Sequence, residues 1–160
     1  MHGVMRTLKE SRASISWRNA HMLEMFGVAT PAPVAFCIRR QGPLRPVGYF
    51  LAEQVDGTSL IDWIGQHRDQ PAAIRRVAAL VGELFSRLRR LQISHGDMKA
   101  ANFILSDHRL VLIDLDSMRQ HRFRLVFERA WRRDMARFAA NWQDLPRVME
   151  IMREEIETAR

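Results

Sequence analysis

The chain has 160 residues, 47% of them hydrophobic, which suits one domain with a packed core and leaves little room for a second. The single cysteine, Cys37, excludes an internal disulfide and a multi-cysteine zinc site, and it is typical of a reducing, cytoplasmic setting. The N-terminus has no apolar run of signal-peptide length, and no segment approaches the ~20 apolar residues of a membrane span. The net charge of +7 is carried almost wholly by arginine. It favours anionic partners, and an arginine-rich composition without any partner explains it equally well.

A helix and a hairpin are the first elements that the pattern predicts. Apolar residues recur at helical spacing from 11 to 26, and the glycine and prolines that follow end this helix. Residues 34–38 and 47–53 have the composition of two strands. The Gln-Gly-Pro sequence at 41–43 is typical of a turn, so these strands should pair as a hairpin.

The strongest periodic signal follows Asp56-Gly57 and a short helix candidate at 59–65. One apolar stripe, with arginines mostly around it, predicts a core helix of about six turns. Packing alone explains this stripe, so we assign it no ligand. Its members are Ile74, Val77, Ala78, Val81, Leu84, Phe85, Leu88 and Leu91.

The second half begins with a loop at 93–97. Two short apolar runs, 103–105 and 111–113, predict a second hairpin that ends at Asp114. From 123 onward the pattern predicts two helices that are broken near 144–146. Strands this few and this short indicate an α+β arrangement rather than a doubly wound sheet.

The loop 95–102, with the sequence His-Gly-Asp-Met-Lys-Ala-Ala-Asn, carries the clearest chemistry. It presents Asp97, Lys99 and Asn102, and Asp114 ends an apolar strand further along. Phosphoryl transfer uses one carboxylate to accept the proton of the attacking hydroxyl. It uses carboxylate and amide oxygens to hold Mg²⁺, and a cation to offset the charge of the phosphates. A turn or a solvated charge explains each residue singly, but the ordered set predicts a phosphotransferase site.

This set resembles the catalytic and metal-binding loops of the protein-kinase-like superfamily. The resemblance implies that Asp97 is the catalytic base, Asn102 the second metal ligand, and Asp114 the aspartate of the Asp-Phe-Gly motif. Aminoglycoside phosphotransferases and lipopolysaccharide core kinases share His-Gly-Asp in place of His-Arg-Asp, and Lys99 argues against the aminoglycoside group. Residues 115–116, Leu-Asp, depart from the Phe-Gly of protein kinases.

From about 11 to 142 the chain most resembles the lipopolysaccharide kinase family, which phosphorylates Kdo or heptose of the inner core. This resemblance implies an α+β protein-kinase-like fold in one domain, 1–160. A partial N-lobe would take about 1–53, and the helical C-lobe would take about 54–160. The segments that carry the likeness are 11–13, 16–21, 27–33, 95–103 and 113–116.

The same resemblance implies ATP and Mg²⁺ (or Mn²⁺) as cofactors. Catalysis would fall to Asp97 and Lys99, with Lys99 beside the transferred phosphate. The cofactors would be bound by the hinge residues Glu53 and Val55, whose backbone would meet adenine, and by the metal ligands Asn102 and Asp114. His95 is expected to brace the loop by hydrogen bonds.

Two parts of a kinase N-lobe, the glycine-rich loop and the strand lysine, are not recognisable. Gly3 and Lys9 are the only early candidates, and Glu10 or Glu24 could be the glutamate that pairs with the lysine. We therefore expect an ATP-dependent phosphotransferase for a sugar hydroxyl of the lipopolysaccharide inner core, with little activity in this chain itself, which is a fragment or a degenerate relative. The alternatives are a catalytically dead binding module and a protein Ser/Thr kinase-like enzyme. Nucleic acid is not an expected partner, because the arginines lack interleaved aromatic residues.

The stretch from 119 to 137 holds seven arginines. We expect Arg119, Arg122 and Arg124 to attract an anionic, lipid-linked sugar and to contact the negative inner face of the cytoplasmic membrane. The resemblance implies that Asp134 anchors the catalytic loop by accepting backbone hydrogen bonds. Apolar residues at helical spacing predict an amphipathic helix with a core-facing stripe. The stripe consists of Phe123, Val126, Phe127, Ala130, Trp131 and Phe138.

Overall fold

The computed structural model describes residues 10–41 and 45–159, which form the predicted α+β arrangement. None of the helices in this part of the chain is long and apolar enough to cross a bilayer. The helices are α1 (Arg12–Met25), α2 (Leu60–Gln66), α3 (Pro71–Arg90), α4 (Arg124–Ala140) and α5 (Pro146–Thr158). The strands are β1 (Pro33–Gln41), β2 (Arg45–Ala52), β3 (Thr58–Ser59), β4 (Ile93–Ser94), β5 (Phe103–Ser106), β6 (Arg109–Leu112) and β7 (Arg119–Gln120).

Both ends of α1 are fixed by local sequence, and the end at Gly27 is the one that the sequence predicted. The hydroxyl of Ser11 accepts a hydrogen bond from the backbone N–H of Ser14, which satisfies a donor of the first turn. At the other end Gly27 adopts φ +63°, and the N–H of Val28 donates to the carbonyl of Leu23 at 2.9 Å. The N–H of Gly27 also donates to the carbonyl of Glu24 at 2.9 Å. The two bonds form a Schellman motif, for which glycine is the favoured residue.

The predicted first hairpin is present and packs against α1. β1 and β2 pair antiparallel with Phe36 opposite Phe50, and both rings lie near the indole of Trp17. The strands are longer than predicted at the turn, but β2 ends at Ala52, so Glu53 lies outside it. The predicted turn falls largely outside the described residues.

The core helix α3 confirms the apolar stripe. Its buried face includes Ile74, Val81 and Leu88, and arginines occupy much of the last turn, where they complement the helix dipole. An aromatic cluster joins this face to the hairpin β5–β6 and to α4. It consists of Phe85, Phe103, Trp131, Phe138 and Trp142. Each such buried ring contributes about 1.5–3 kcal/mol, so the loops that leave α3 start from a rigid base.

Two small sheets carry the loops that follow. β5 pairs with β6 and with β3, whereas β4 pairs with β7. The segment predicted as a loop from 93 therefore begins with a two-residue strand, because its backbone finds a partner at Arg119–Gln120. The second hairpin is confirmed, although Ile113 lies beyond β6.

The helix α4 corrects part of the predicted stripe. Phe127, Trp131 and Phe138 are buried as expected, but Phe123 is 67% exposed and Val126 is 54% exposed. These two residues sit at the start of the helix, where the neighbouring elements do not cover them. The stripe is core-facing only from Phe127 onward.

Candidate active site

The catalytic loop and the metal loop are joined through His95, which is fully buried. Its Nε2 lies 3.0 Å from the carbonyl oxygen of Ile113, and its Nδ1 accepts from the N–H of Asp97 at 3.3 Å. These bonds place the ring proton on Nε2. The imidazole thus braces Asp97 against the residue that precedes Asp114, as predicted for this histidine.

Helix α4 and the residue that follows it accept hydrogen bonds from the backbone of the same loop. The carboxylate of Asp134 accepts from the N–H groups of His95 at 2.7 Å and Gly96 at 3.1 Å, which is the contact that the sequence resemblance implied. Two turns later the side-chain oxygen of Asn141 accepts from the N–H of Ala100 at 3.3 Å. Burial raises the pKa of Asp134, and the two backbone donors oppose that rise without cancelling it.

Two cations flank the predicted base, Asp97. Lys99 Nζ lies 3.0 Å from one carboxylate oxygen, and Arg137 lies 2.5 Å from the other. Burial alone would raise the pKa of Asp97, but the hydrogen bonds from Lys99 and Arg137 outweigh burial and lower it. Arg137 also donates to the carbonyl of Gly96 at 3.3 Å. Sequence reasoning assigned Arg137 no role, and only its position one turn after Asp134 on α4 could have suggested one.

The predicted metal ligands lie on adjoining loops. The side-chain nitrogen of Asn102 donates to the carbonyl of Asp97 at 2.8 Å. This bond uses the nitrogen of the amide and not its oxygen, which is the atom that a metal would bind. The N–H of Ile113 donates to the Asn102 carbonyl at 3.0 Å, so Asp114 directly follows this contact. Asp114 is exposed and has φ +59°, a strained conformation of the kind that concentrates at functional sites.

The donor set fits Mg²⁺. Asn102 and Asp114 offer oxygen ligands, which a hard cation prefers. No cluster of three or more His, Cys, Asp or Glu residues that could hold a metal occurs among the described residues. An ion here would therefore take its other ligands from phosphate oxygens and water, which is the usual manner of Mg²⁺.

A glycine is required where the two loops cross. A Cβ atom at Gly96 would lie 2.6 Å from the carbonyl oxygen of Ser117, and the residue has φ +81°. Both the space and the backbone conformation exclude a larger residue without a shift of one loop. The glycine of His-Gly-Asp is therefore required by packing as well as by the motif.

Helix α1 contacts the metal loop directly. The buried side chain of Asn19 donates to the carbonyls of Leu115 at 2.8 Å and Met118 at 3.0 Å. Arg12 forms an ion pair with Asp116. Position 12, where α1 begins, thus places a basic side chain at the metal loop.

Neither candidate glutamate of the N-lobe lies at this contact. Glu10 pairs with Arg18 at 2.7 Å, and Glu24 pairs with His21 at 3.1 Å. Both pairs are on exposed surface of the α1 region. Lys9 lies outside the described residues.

The predicted hinge residues lie between β2 and β3. Glu53 donates its backbone N–H to the carbonyl of Ala32 at 2.9 Å. Val55 is half-buried in the same connection.

Two of the three arginines that were expected near the cleft line different depressions of the surface. Arg119 lines a groove with Asp116 and Arg18 beside α1. Arg124 lines a separate cavity between α3 and α4.

The fold and the two loops define a protein of the kinase-like class. The chain belongs to the lipopolysaccharide kinase (Kdo/WaaP) family, whose sequence profile matches residues 2–155. This membership confirms the family that the motifs predicted. Among curated proteins no sequence matches the chain.

One similar solved structure is that of WaaP in complex with acyl carrier protein. It has a TM-score of 0.67 and 21% sequence identity, and the match covers 89% of this chain. The likeness confirms the kinase-like α+β fold. The chain spans 66% of the length of that WaaP chain.

Proposed function

We propose that this chain carries the catalytic and metal-binding half of an ATP-dependent kinase for a sugar hydroxyl, Kdo or heptose, of the lipopolysaccharide inner core. The observation that carries the proposal is the junction at His95, which holds Asp97 and Asp114 on two adjoining loops. Family membership supports the kinase class. The sugar acceptor follows from the family's description rather than from any contact in the structure.

In this mechanism Asp97 accepts the proton of the acceptor hydroxyl as its oxygen attacks the γ-phosphorus of ATP. The bond from that phosphorus to the bridging oxygen breaks, and ADP leaves. Lys99 exchanges its contact with Asp97 for the transferred phosphate and offsets its charge. Asn102 and Asp114 would hold Mg²⁺, which supplies charge neutralisation for the phosphates when bound. Glu53 and Val55 would receive adenine through their backbone groups.

In this proposal residues 1–53 form a partial N-lobe and residues 54–160 form the C-lobe. A kinase also needs a glycine-rich loop and a strand lysine, and each such group is commonly worth a factor of about 10²–10³ in rate. We therefore expect this chain by itself to bind Mg²⁺ and ATP weakly and to turn ATP over slowly.

A catalytically silent binding module is the second candidate. It is favoured by the pairing of both carboxylate oxygens of Asp97 with Lys99 and Arg137.

Acyl carrier protein is a further candidate partner, because WaaP was solved in complex with it. Peripheral contact with the inner face of the cytoplasmic membrane would bring the enzyme to a lipid-linked acceptor.

The test measures Mg²⁺-dependent binding of ATP by calorimetry, followed by phosphate release with an inner-core acceptor. Asp114→Asn should abolish metal-dependent ATP binding, whereas Asp97→Asn should retain the binding and remove any turnover. Asp107→Asn, in the exposed turn between β5 and β6, is the matched control. Equal metal-dependent binding by Asp114→Asn would refute the assigned site. Binding with no turnover, even after an N-lobe is supplied, would favour the silent module.

A further inference from the structure

The start of α4 exposes five consecutive residues, 122–126, with the sequence Arg-Phe-Arg-Leu-Val. Leu125 is 87% exposed, more than either Phe123 or Val126, whereas the next residue, Phe127, is only 2% exposed. The apolar side chains of this segment, the α4 tip, therefore project outward where the helix begins. Contiguous exposed apolar side chains on a soluble domain commonly mark an interaction surface.

Basic groups surround the α4 tip. The guanidinium carbon of Arg122 lies 6.0 Å from the centre of the Phe123 ring. Arg124 also lines a cavity of about 400 Å³, together with Arg89, Arg90 and Glu128. Glu128 lies 3.4 Å from Arg89 and 3.9 Å from Arg124, so its single carboxylate pairs with two guanidinium groups. The surroundings favour phosphate or another anion beside the exposed apolar side chains.

We propose that the α4 tip is a membrane-anchoring surface. Phe123, Leu125 and Val126 insert into the interfacial layer of an anionic bilayer, and the neighbouring arginines bind the lipid phosphates. Insertion of this kind needs protruding apolar side chains beside basic ones and no shape complementarity, because the lipid is fluid. A protein partner would instead have to provide a pocket for a side chain as exposed as Leu125.

This inference rests on the proposed function, since it names the surface by which the kinase would reach a lipid-linked acceptor. The α4 tip does not include Arg119, which lines a different groove. Membrane anchoring also explains why the apolar pattern of α4 begins before Phe127, the first residue of the pattern that the core covers. Burial in lipid would complete the stripe that the fold leaves exposed.

The expected effects are separable. Each arginine near an anionic surface is worth about fivefold in partitioning, so replacing Arg122 and Arg124 by Gln should weaken binding about 25-fold at low salt. Replacing the three apolar residues by Ser should weaken it by about tenfold or more, with little dependence on salt. Salt should oppose the arginine contribution, because the Debye length shortens from about 10 Å at 0.1 M to about 3 Å at 1 M.

The experiment is co-sedimentation of the 160-residue chain, without nucleotide, with vesicles of phosphatidylcholine alone or mixed with phosphatidylglycerol, over a salt series. Met25 is the matched control, because it is 85% exposed on the end of α1. The apolar variant is Phe123→Ser/Leu125→Ser/Val126→Ser, the arginine variant is Arg122→Gln/Arg124→Gln, and the control variant is Met25→Ser. We expect binding to anionic vesicles that both of the first two variants lose and the control keeps.

A fluorescent label gives a readout for one residue. Cys37 is the only cysteine of the chain, so Cys37→Ser allows a polarity-sensitive dye to be placed on Leu125→Cys or, as the control, on Met25→Cys. Anionic vesicles should shift the emission of the dye at position 125 to the blue and leave the dye at 25 unchanged. Equal shifts at both positions would show that the α4 tip is not the inserted surface.

Three other results would overturn the proposal. The first is no binding to anionic vesicles, and the second is full binding by the apolar variant. The third is an apolar variant whose only loss is self-association or the binding of acyl carrier protein. The site residues Asp97 and Asp114 are untouched and no ATP is present, so the kinase proposal is tested separately. A chain that inserts but fails to bind Mg²⁺ and ATP would refute the proposed function alone.

Discussion

The link between α4 and the catalytic loop is most directly perturbed by Asp134→Ala. Asp134 is 3% exposed, and its two carboxylate oxygens accept the backbone N–H groups of His95 and Gly96. Alanine leaves both donors without this acceptor. Since the loop is the segment that positions Asp97, loss of the bonds should loosen the site as well as destabilise the fold.

The magnitude follows from the burial of each donor. The N–H of His95 is buried, and an unpaired buried donor costs about 1–3 kcal/mol. The N–H of Gly96 is only partly buried, so water can replace its partner at a cost of about 1 kcal/mol. Asp134→Ala should therefore lower the free energy of unfolding by about 2–4 kcal/mol. Asp134→Asn keeps one acceptor oxygen and should cost about half as much.

The assay is urea unfolding, combined with hydrogen exchange of the His95 and Gly96 amides measured by NMR. Both amides should exchange faster in Asp134→Ala, and His95 should change more. Asp144→Ala, at an exposed position between α4 and α5, is the control and should stay within about 0.5 kcal/mol of the wild type. A loss below about 0.5 kcal/mol, or unchanged amide exchange, would refute the reasoning.

The remaining predictions concern a cation, an imidazole and a helix crossing. Arg137→Ala should speed amide exchange around Asp97. It should change the free energy of unfolding by less than about 1 kcal/mol, because the ion pair of Arg137 with Asp97 is partly exposed. Unchanged amide exchange, measured by mass spectrometry, would contradict a positioning role for Arg137. Burial, and then the nearby positive charge, lower the pKa of His121 below 6.5. The unfolded chain therefore binds its proton first, and stability should fall as the pH drops through 6.5 towards the lower folded value. His121→Gln should show a smaller loss of unfolding free energy between pH 7.5 and 5.5, and equal slopes would count against this. Gly82→Ala should cost about 1–3 kcal/mol in urea unfolding, because its Cβ would lie 2.7 Å from a backbone oxygen of α5. Gly65→Ala, in open space on α2, should gain up to about 1 kcal/mol, and the same sign for both would refute the packing argument.

Local sequence determined the elements whose stability depends on near neighbours. The ends of α1 follow from Ser11 and Gly27, since a cap is made by residues a few positions apart. The stripe of α3 and the two hairpins follow from periodic apolar residues. The order of residues in the catalytic loop was sufficient to indicate the kinase class, because several of the side chains that the chemistry needs lie within eight positions of one another.

Tertiary structure decided which distant residues complete the site. Arg137 and Asn141 reach the catalytic loop from about forty positions away, and Asn19 reaches the metal loop from further still. Such contacts leave no periodic trace in the sequence, because they depend on how helices cross. The same cause explains the error at Phe123 and Val126. A helical pattern predicts which residues share a face, but only the packing of neighbouring elements decides how far along the helix that face is covered.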